Sequence, residues 1–194
     1  MGTADDADTS ADLTDLSQDY TMPDLTNSTV DQRRSAALYM LRRCEHNAQD
    51  VAEDTDYQTF FGGAKFWDMS DHPAITGEIA PVPLSTQMCI NAGFSDGVCF
   101  STAAGAFQIT RPTWNEVRDY GGSHLPDFTP ESQQEAALRI MAKIGALPLI
   151  DAGNITGALP ILGKRWASIP GARGKQGQRT VDFALSAFTE GLQA

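Results

Sequence analysis

Apolar residues recur every three or four positions between residues 29 and 48, the spacing of a helix with one buried face. These apolar positions are Ala37, Leu38, Leu41, Cys44 and Ala48. Thr29, with Gln32 three residues later, is typical of a capping box, so the helix should begin there. One polar residue interrupts the apolar face, because Glu45 falls about 40° from Leu41 on a helical projection.

The position of Glu45 has a chemical consequence. A carboxyl group held against apolar side chains resists ionisation, so the pKa of Glu45 should rise. A carboxylic acid of raised pKa is the proton donor that cleavage of a glycosidic bond requires. The alternative is a glutamate at the edge of the apolar face whose carboxylate reaches solvent. The helix alone favours this alternative, so the choice depends on the rest of the chain.

The hydrophobic pattern predicts four later helices. One runs from Thr110 to Tyr120, a longer one begins at Thr129, and two more cover residues 154–167 and 176–190. Between residues 50 and 100, Gly and Pro interrupt short apolar pieces, so we expect loops with at most two or three short strands. The predicted fold class is α+β, mostly helical, with a small β-containing lobe.

Charge divides the chain into two parts. Residues 1–31 contain eight Asp and no Lys or Arg, and they carry most of the net charge of −11. Residues 1–28 are poor in large apolar side chains, so we expect an acidic N-terminal tail that is disordered or ordered by a partner. The folded domain should span residues 29–194. An acidic chain is a poor candidate for binding nucleic acid, whose affinity depends on basic contacts to phosphate.

Composition also argues against membrane and metal sites. No apolar run reaches the roughly 18–20 residues that cross a bilayer, and the first residues lack the basic and apolar regions of a secretory signal. Three His and three Cys show no metal-ligand spacing, so we expect neither a metal nor another cofactor.

The cysteines leave one thiol unpaired. Cys89 and Cys99 bracket a short loop and could close it as a disulfide, which would imply an oxidising final compartment. The alternative is two reduced, partly buried thiols. Cys44 lies beside Glu45, but without a suitably placed His it favours core packing over a nucleophilic role.

A compact segment of small residues precedes the helix at Thr110. Residues 101–108 read Ser-Thr-Ala-Ala-Gly-Ala-Phe-Gln. Small residues such as Gly105 let the backbone approach a ligand closely, and Gln108 offers amide groups suited to sugar hydroxyl and acetamido groups. By itself, such a segment more often reflects close packing before a helix.

Together with Glu45, residues 101–108 resemble the S-x-x-G-x-x-Q element of goose-type lysozymes and soluble lytic transglycosylases. Three other motifs flank that segment: GGAKFWDMSDHP at 62–73, GALPLID at 145–151 and WASIPG at 166–171. On these motifs, residues 31–190 resemble the phage lambda endolysin family, lytic transglycosylases that cut peptidoglycan. The resemblance implies a lysozyme-like fold with two lobes flanking a saccharide-binding cleft.

The resemblance also implies a set of site residues. Glu45, at the end of the first helix, corresponds to the single catalytic residue of the family. The expected substrate-binding residues come from the compact segment and from aromatic residues of the irregular region. They are Ser101, Gly105, Phe107, Gln108, Tyr57 and Phe61, with Phe60 as a further candidate for the cleft wall. Trp114, Trp166 and Phe188 lie at helical spacings that favour the core.

Several neighbouring residues could modify the site. We interpret Asp68 and Asp71 as loop-ordering residues rather than as a second catalytic carboxylate. His46 could hydrogen-bond to the acid or shield it. The loop from Pro73 to Ser101 corresponds to one lip of the cleft, and residues 169–178 correspond to the other. Basic residues near the second lip could steer an anionic wall, or could form a solvated helical face: Lys164, Arg165, Arg173, Lys175 and Arg179.

The implied reaction needs one carboxyl group. Glu45 protonates the oxygen of the β-1,4 bond between N-acetylmuramic acid and N-acetylglucosamine, and the muramic C6 hydroxyl attacks C1 to leave a 1,6-anhydromuramic end. The partner is the bacterial peptidoglycan strand, with virion proteins as possible partners of the tail. We expect a phage-encoded enzyme for lysis or wall penetration, held in the virion or host cytoplasm before it acts on the periplasmic wall.

Two other functions remain open from the sequence. A muramidase would use water on the same site, and a non-catalytic virion structural or wall-binding protein would retain only the lysozyme-like scaffold. The presence of Glu45 and Gln108 argues against the non-catalytic protein.

Overall fold

A computed structural model describes residues 22–172 and 177–194. The first 21 residues of the predicted tail lie outside these ranges. The helices of the described part are α1 Val30–Glu45, α2 Ala48–Ala52, α3 Pro73–Thr76, α4 Thr86–Asn91, α5 Arg111–Val117, α6 Pro130–Ile144, α7 Leu147–Asp151, α8 Ile155–Leu162 and α9 Val181–Gly191. Short 3-10 helices lie at Thr55–Gln58 and Tyr120–Gly122. Strands β1 Val82–Pro83 and β2 Phe100–Ser101 pair antiparallel, with Val82 opposite Ser101.

Helix α1 begins as the capping pattern predicts. The Thr29 hydroxyl accepts a hydrogen bond from the Gln32 amide at 3.2 Å, and Gln32 Oε1 accepts one from the Thr29 amide at 2.8 Å. The helix ends at Glu45 rather than at Ala48, because His46 is extended and Asn47 caps the separate helix α2. Local capping therefore ends the helix before its apolar pattern does.

The later helices agree with the predictions in place but not in all their bounds. Helix α6 begins at Pro130 as expected, and Gly145 ends it in a left-handed conformation. Helix α5 ends at Val117, Pro160 lies inside α8, and α9 begins at Val181 rather than at residue 176. Helices α2, α3, α4 and α7 have four to six residues, too few to show a helical period in the sequence.

The helical core is organised around α1. This helix packs most extensively against α9 and also contacts α6 and α7. The two helices approach closely at Gly191, where an added Cβ would lie 2.9 Å from the Ala36 Cα. Trp114, Trp166 and Phe188 are buried, as their helical spacing predicts.

The region between residues 55 and 109 forms a small irregular lobe. Among the described residues, its ordered β-structure consists of the two short strands β1 and β2 with isolated bridges such as Phe60–Ala104 and Ala104–Ile109, in agreement with the predicted upper limit of two or three short strands. Cys89 and Cys99 are joined by a disulfide in this structure, and Cys44 is free and buried.

The folded part begins before residue 29. Pro23 is buried, Leu25 packs against the core, and Arg33 Nη1 donates to the Ser28 carbonyl at 2.6 Å. The sequence placed these residues in the tail because Asp, Thr and Ser surround them. None of the helices in the described ranges is long and apolar enough to cross a membrane.

Candidate active site

Glu45 is the last residue of α1 and is half-buried. Ser168 Oγ donates a hydrogen bond to Glu45 Oε1 at 2.5 Å. Burial raises the pKa of Glu45 above its ordinary value, and the Ser168 hydrogen bond and the charge of Arg179 lower it to a smaller extent. Burial therefore favours the protonated form of Glu45, which is the form that a proton donor must have before reaction.

His46 follows the acid but has a different hydrogen-bond partner. Its ring is buried, and Nε2 lies 3.2 Å from the Gly105 carbonyl oxygen, an acceptor that requires the proton on this nitrogen. Burial lowers the pKa of His46, and the charge of Asp56 offsets part of this effect. His46 thus connects the end of α1 to the compact segment 101–108.

Gly105 is required by packing within the protein. Its φ is +74°, and a Cβ at this position would lie 2.0 Å from Gln133 Oε1. The same Gln133 oxygen accepts a hydrogen bond from the Ala106 amide at 2.9 Å. The small residue predicted to admit a ligand therefore makes room for a buried glutamine of α6.

Gln108 has a left-handed backbone with φ of +44°, which is uncommon for a residue with a side chain. Its Nε2 donates to the carbonyl oxygens of Gly105 at 3.0 Å and Thr59 at 3.1 Å. Because both amide protons bind within the protein, Oε1 is the atom that Gln108 could offer to a sugar. Its predicted donor role needs correction, whereas an acceptor role stays a prediction.

The hydroxyl groups at the start of the segment have structural partners. Ser101 is buried and its Oγ accepts from the Ala103 amide at 3.2 Å. In the S-x-x-G-x-x-Q pattern the hydroxyl residue stands three positions before the glycine, and here that position is Thr102. Its Oγ1 accepts a hydrogen bond from the Arg111 amide at 2.9 Å. Ser101 thus shapes the turn, and Thr102 binds an amide of the first turn of α5.

Three aromatic residues predicted near substrate lie in the core instead. Tyr57 is buried beneath the Arg42 guanidinium at 4.4 Å, and Phe60 and Phe107 have no exposed surface. Phe107 packs edge-on against Tyr57. A ring that is covered on both faces cannot stack on a sugar, so these predictions were wrong for Tyr57, Phe60 and Phe107. Phe61 is half-buried and remains a candidate.

The most exposed aromatic side chains of the small lobe are not the ones predicted to contact substrate. Trp67 is 71% exposed, Phe100 60% and Phe94 51%. Glu78 fixes the backbone at Trp67, because its two carboxylate oxygens accept from the Trp67 and Asp68 amides at 2.8 and 2.9 Å. The sequence signal was the position of Trp67 within the irregular motif 62–73, where no helical period requires burial.

The remaining carboxylates of the motif order the loop, as predicted. Asp71 Oδ1 accepts from the His72 amide and from Trp114 Nε1, both at 2.7 Å, and Oδ2 pairs with Arg118. Asp68 accepts from the Ser70 amide at 2.9 Å. Within residues 22–172 and 177–194, no second carboxylate hydrogen-bonds to Glu45 or shifts its pKa.

The two segments predicted to be the lips of the cleft are held in place by different interactions. The first contains the Cys89–Cys99 disulfide. The second is tied to the acid, because the Arg179 amide donates to the Ser168 carbonyl at 2.8 Å and Arg179 Nε donates to the Cys44 carbonyl at 3.2 Å. Of the predicted basic patch, Lys164 and Arg165 are exposed, whereas residues 173 and 175 lie outside the described ranges.

Comparison with known proteins identifies the family. The endolysin family model matches residues 35–192. The chain belongs to the endolysin family. It is 32% identical to the endolysin of Escherichia phage lambda over 163 residues, 83% of this chain and 92% of the relative. The endolysin of Escherichia phage P2 is 34% identical over 123 residues, 63% of this chain and 67% of that protein.

Solved structures of the family agree with the fold. Bacteriophage lambda lysozyme complexed with a chitohexasaccharide aligns with a TM-score of 0.67 and 33% identity, over 82% of this chain and 94% of that one. A second structure of lambda lysozyme aligns with a TM-score of 0.61 and 30% identity, with the same coverage. The lysozyme-like, mostly helical fold and the resemblance to the lambda endolysin family are confirmed. Membership supports an enzyme that degrades peptidoglycan.

Proposed function

We propose that this endolysin is a lytic transglycosylase that cleaves the β-1,4 bond between N-acetylmuramic acid and N-acetylglucosamine. Glu45 is its general acid and base. The observation that carries the proposal is the half-buried carboxyl group of Glu45 at the end of α1, whose pKa is raised by burial. The chitohexasaccharide bound to lambda lysozyme supports a glycan as the substrate.

The first step transfers a proton. Glu45, protonated before reaction, gives its proton to the glycosidic oxygen, and the bond to the muramic C1 breaks with its electron pair moving to that oxygen. Positive charge develops at C1. A carboxylic acid of ordinary pKa is mostly ionised at neutral pH, and the burial of Glu45 shifts its equilibrium toward the protonated form that can donate.

The second step returns the proton. Glu45, now ionised, takes the proton of the muramic C6 hydroxyl while that oxygen bonds to C1 and forms the 1,6-anhydro ring. Most glycosidases that form a covalent glycosyl-enzyme intermediate or activate a water for direct attack use a second carboxylate. Intramolecular attack needs only the one carboxyl group of Glu45, and no carboxylate of the described ranges hydrogen-bonds to it.

Mass spectrometry of the muropeptides released from purified peptidoglycan tests the reaction type. A transglycosylase yields anhydromuropeptides that are about 18 Da lighter than the hydrolysis products, because no water is added. Products that carry only reducing muramic ends would make the protein a muramidase on the same site.

Membership of the endolysin family supports a setting in phage infection. We propose a phage-encoded enzyme that acts on the bacterial wall during lysis or entry, with its acidic tail as the segment that would bind a virion protein. Cell fractionation of infected bacteria compared with purified virions distinguishes these settings. Presence in the virion would support a role in entry, and restriction to the infected cell would support lysis.

A further inference from the structure

We propose that Ser168 is a positioning residue that determines which oxygen of Glu45 carries the transferable proton. The inference rests on the proposed function, because it concerns the proton that Glu45 donates. It adds a role for the WASIPG motif, which the sequence matched to the family without assigning chemistry to its serine.

The hydrogen bond at Glu45 has a direction. Ser168 Oγ has one proton and directs it to Glu45 Oε1 at 2.5 Å. A protonated carboxyl group has one carbonyl oxygen, which accepts well, and one hydroxyl oxygen, which donates. With Oε1 occupied as the acceptor of the Ser168 proton, the transferable proton resides on Oε2. The acid therefore presents one defined oxygen to the glycosidic bond.

The serine is held firmly enough to impose this choice. On one side Trp166 is buried, and its Nε1 donates to the Phe107 carbonyl at 2.9 Å. On the other side Ile169 is fully buried. The Ser168 carbonyl itself accepts from the Arg179 amide at 2.8 Å. Anchors on both sides and at its own backbone hold Ser168 Oγ in place when the carboxyl group changes its charge.

The same hydrogen bond acts in both steps of the reaction. When Oε2 releases its proton to the leaving oxygen, Glu45 becomes a carboxylate, and the bond from Ser168 becomes charge-assisted and stronger. This stabilises the ionised form inside a site that otherwise disfavours it. Oε2 then accepts the C6 hydroxyl proton, and the starting arrangement is restored with no net gain or loss of protons.

The test compares Ser168→Ala with Ser168→Thr, which keeps a hydroxyl. Ser132→Ala is a matched control, since Ser132 Oγ also donates to a carboxylate, Asp127 Oδ1 at 2.7 Å, in a different part of the fold. For each variant, kcat, KM and the pH profile of kcat/KM are measured on soluble glycan fragments. Ser168→Gly removes the hydroxyl by another route and provides the same test if the alanine variant does not fold.

We expect kcat of Ser168→Ala to fall roughly 10- to 100-fold with KM little changed, because misplacing a reacting group by about 1 Å can cost two powers of ten. Loss of the hydrogen bond should also raise the pKa of Glu45, which moves the alkaline limb of the profile to higher pH. Ser168→Thr should restore both properties toward wild type, and Ser132→Ala should alter neither.

The outcomes separate this inference from the proposed function. A Ser168→Ala enzyme with wild-type kcat and an unmoved alkaline limb overturns the positioning role, whatever Glu45 does. The positioning role is also overturned if Ser168→Ala and Ser168→Thr lose kcat equally and neither moves the alkaline limb. Ser168 would then have only a structural role. Failure of the proposed function appears elsewhere, as undiminished activity of Glu45→Gln.

Discussion

At the scale of single residues, Glu45 is subject to opposing influences from its surroundings. Burial favours its neutral form, and the Ser168 hydroxyl together with Arg179 favours the ionised form to a lesser extent. A fold that favours the neutral form of Glu45 does so at a cost to folding stability, because the unfolded chain ionises the same group freely.

This cost predicts a pH-dependent gain in stability for Glu45→Gln. In the wild type, the folded protein binds more protons at Glu45 than the unfolded chain does, so its stability should fall as pH rises from the ordinary Glu value through the raised folded pKa. The amide cannot ionise. The variant should therefore be more stable than wild type near pH 8, with the difference vanishing at about pH 3.

Urea denaturation of both proteins at several pH values measures this difference. Equal stability of the two proteins across the whole range would mean that Glu45 ionises as easily when folded as when unfolded. Such a result would remove the physical basis for its role as a donor.

Sequence reasoning selected Glu45 as the candidate acid but did not predict the residues that surround it. Glu45 was visible because a helical period places it among apolar neighbours separated by three or four positions. A helical period cannot reveal Ser168 or Gln133, because each binds a partner that is far away along the chain. Ser168 and Glu45 are 123 positions apart, and Gln133 and Ala106 are 27 positions apart. The burial of Tyr57 and Phe107 was not predicted, because the irregular region has no hydrophobic period that indicates which side chains are buried.

At the scale of elements, the end of α1 is fixed by a buried ion pair one turn before Glu45. Arg42 Nε and Nη2 donate to the two oxygens of Asp56 at 2.7 and 2.8 Å, and Asp56 has no exposed surface. Arg42 Nη2 also donates to the Val51 carbonyl at 3.0 Å. These bonds hold α1, α2 and the 3-10 helix Thr55–Gln58 together.

Arg42→Met should lower the free energy of unfolding by about 3–5 kcal/mol, because removing one partner leaves a buried charge without compensation. Arg34→Met is the matched control on the same helix. Arg34 pairs with Asp151 at 2.7 Å, but both side chains are partly exposed, so its loss should cost less than about 1 kcal/mol. Chemical denaturation gives both values. A similar loss of stability in the two variants would show that the buried Asp56 carboxylate does not need Arg42 as its partner.

The element boundaries show where local rules suffice. The start of α1 followed from its capping box, and that of α6 from the Thr-Pro-Glu sequence at Thr129. The end of α1 did not, because Asn47 begins a new helix within the apolar pattern. Helices of four to six residues are stabilised by tertiary packing rather than by their own sequence, so the pattern does not reveal them.

At the scale of the whole molecule, the division between tail and domain is the feature most open to test. Leu25 packs against the core, where an added Cβ on Gly153 would lie 2.7 Å from its Cδ1, and the Ser28 carbonyl binds Arg33. A deletion that ends before these residues differs physically from one that includes them.

Deleting residues 1–21 should leave both the melting temperature and the activity on purified peptidoglycan near wild type. Deleting residues 1–28 should lower the melting temperature, since Arg33 loses an acceptor and the core loses a leucine. Removal of the acidic residues should also raise the rate on anionic walls at low salt, with less gain as salt increases. Loss of catalysis with the shorter deletion would show that the tail belongs to the enzyme.

The central claim is that Glu45 cleaves the glycan strand, and the activity of Glu45→Gln on purified peptidoglycan tests it most directly. Glu53→Gln is the matched control, an exposed carboxylate eight positions along the chain. Soluble muropeptides released per unit time are measured for both variants and the wild type, with circular dichroism as a check of folding. We expect a loss of about 10²-fold or more for Glu45→Gln and wild-type release for Glu53→Gln. A folded Glu45→Gln protein that retains activity within a few-fold of wild type would contradict the account.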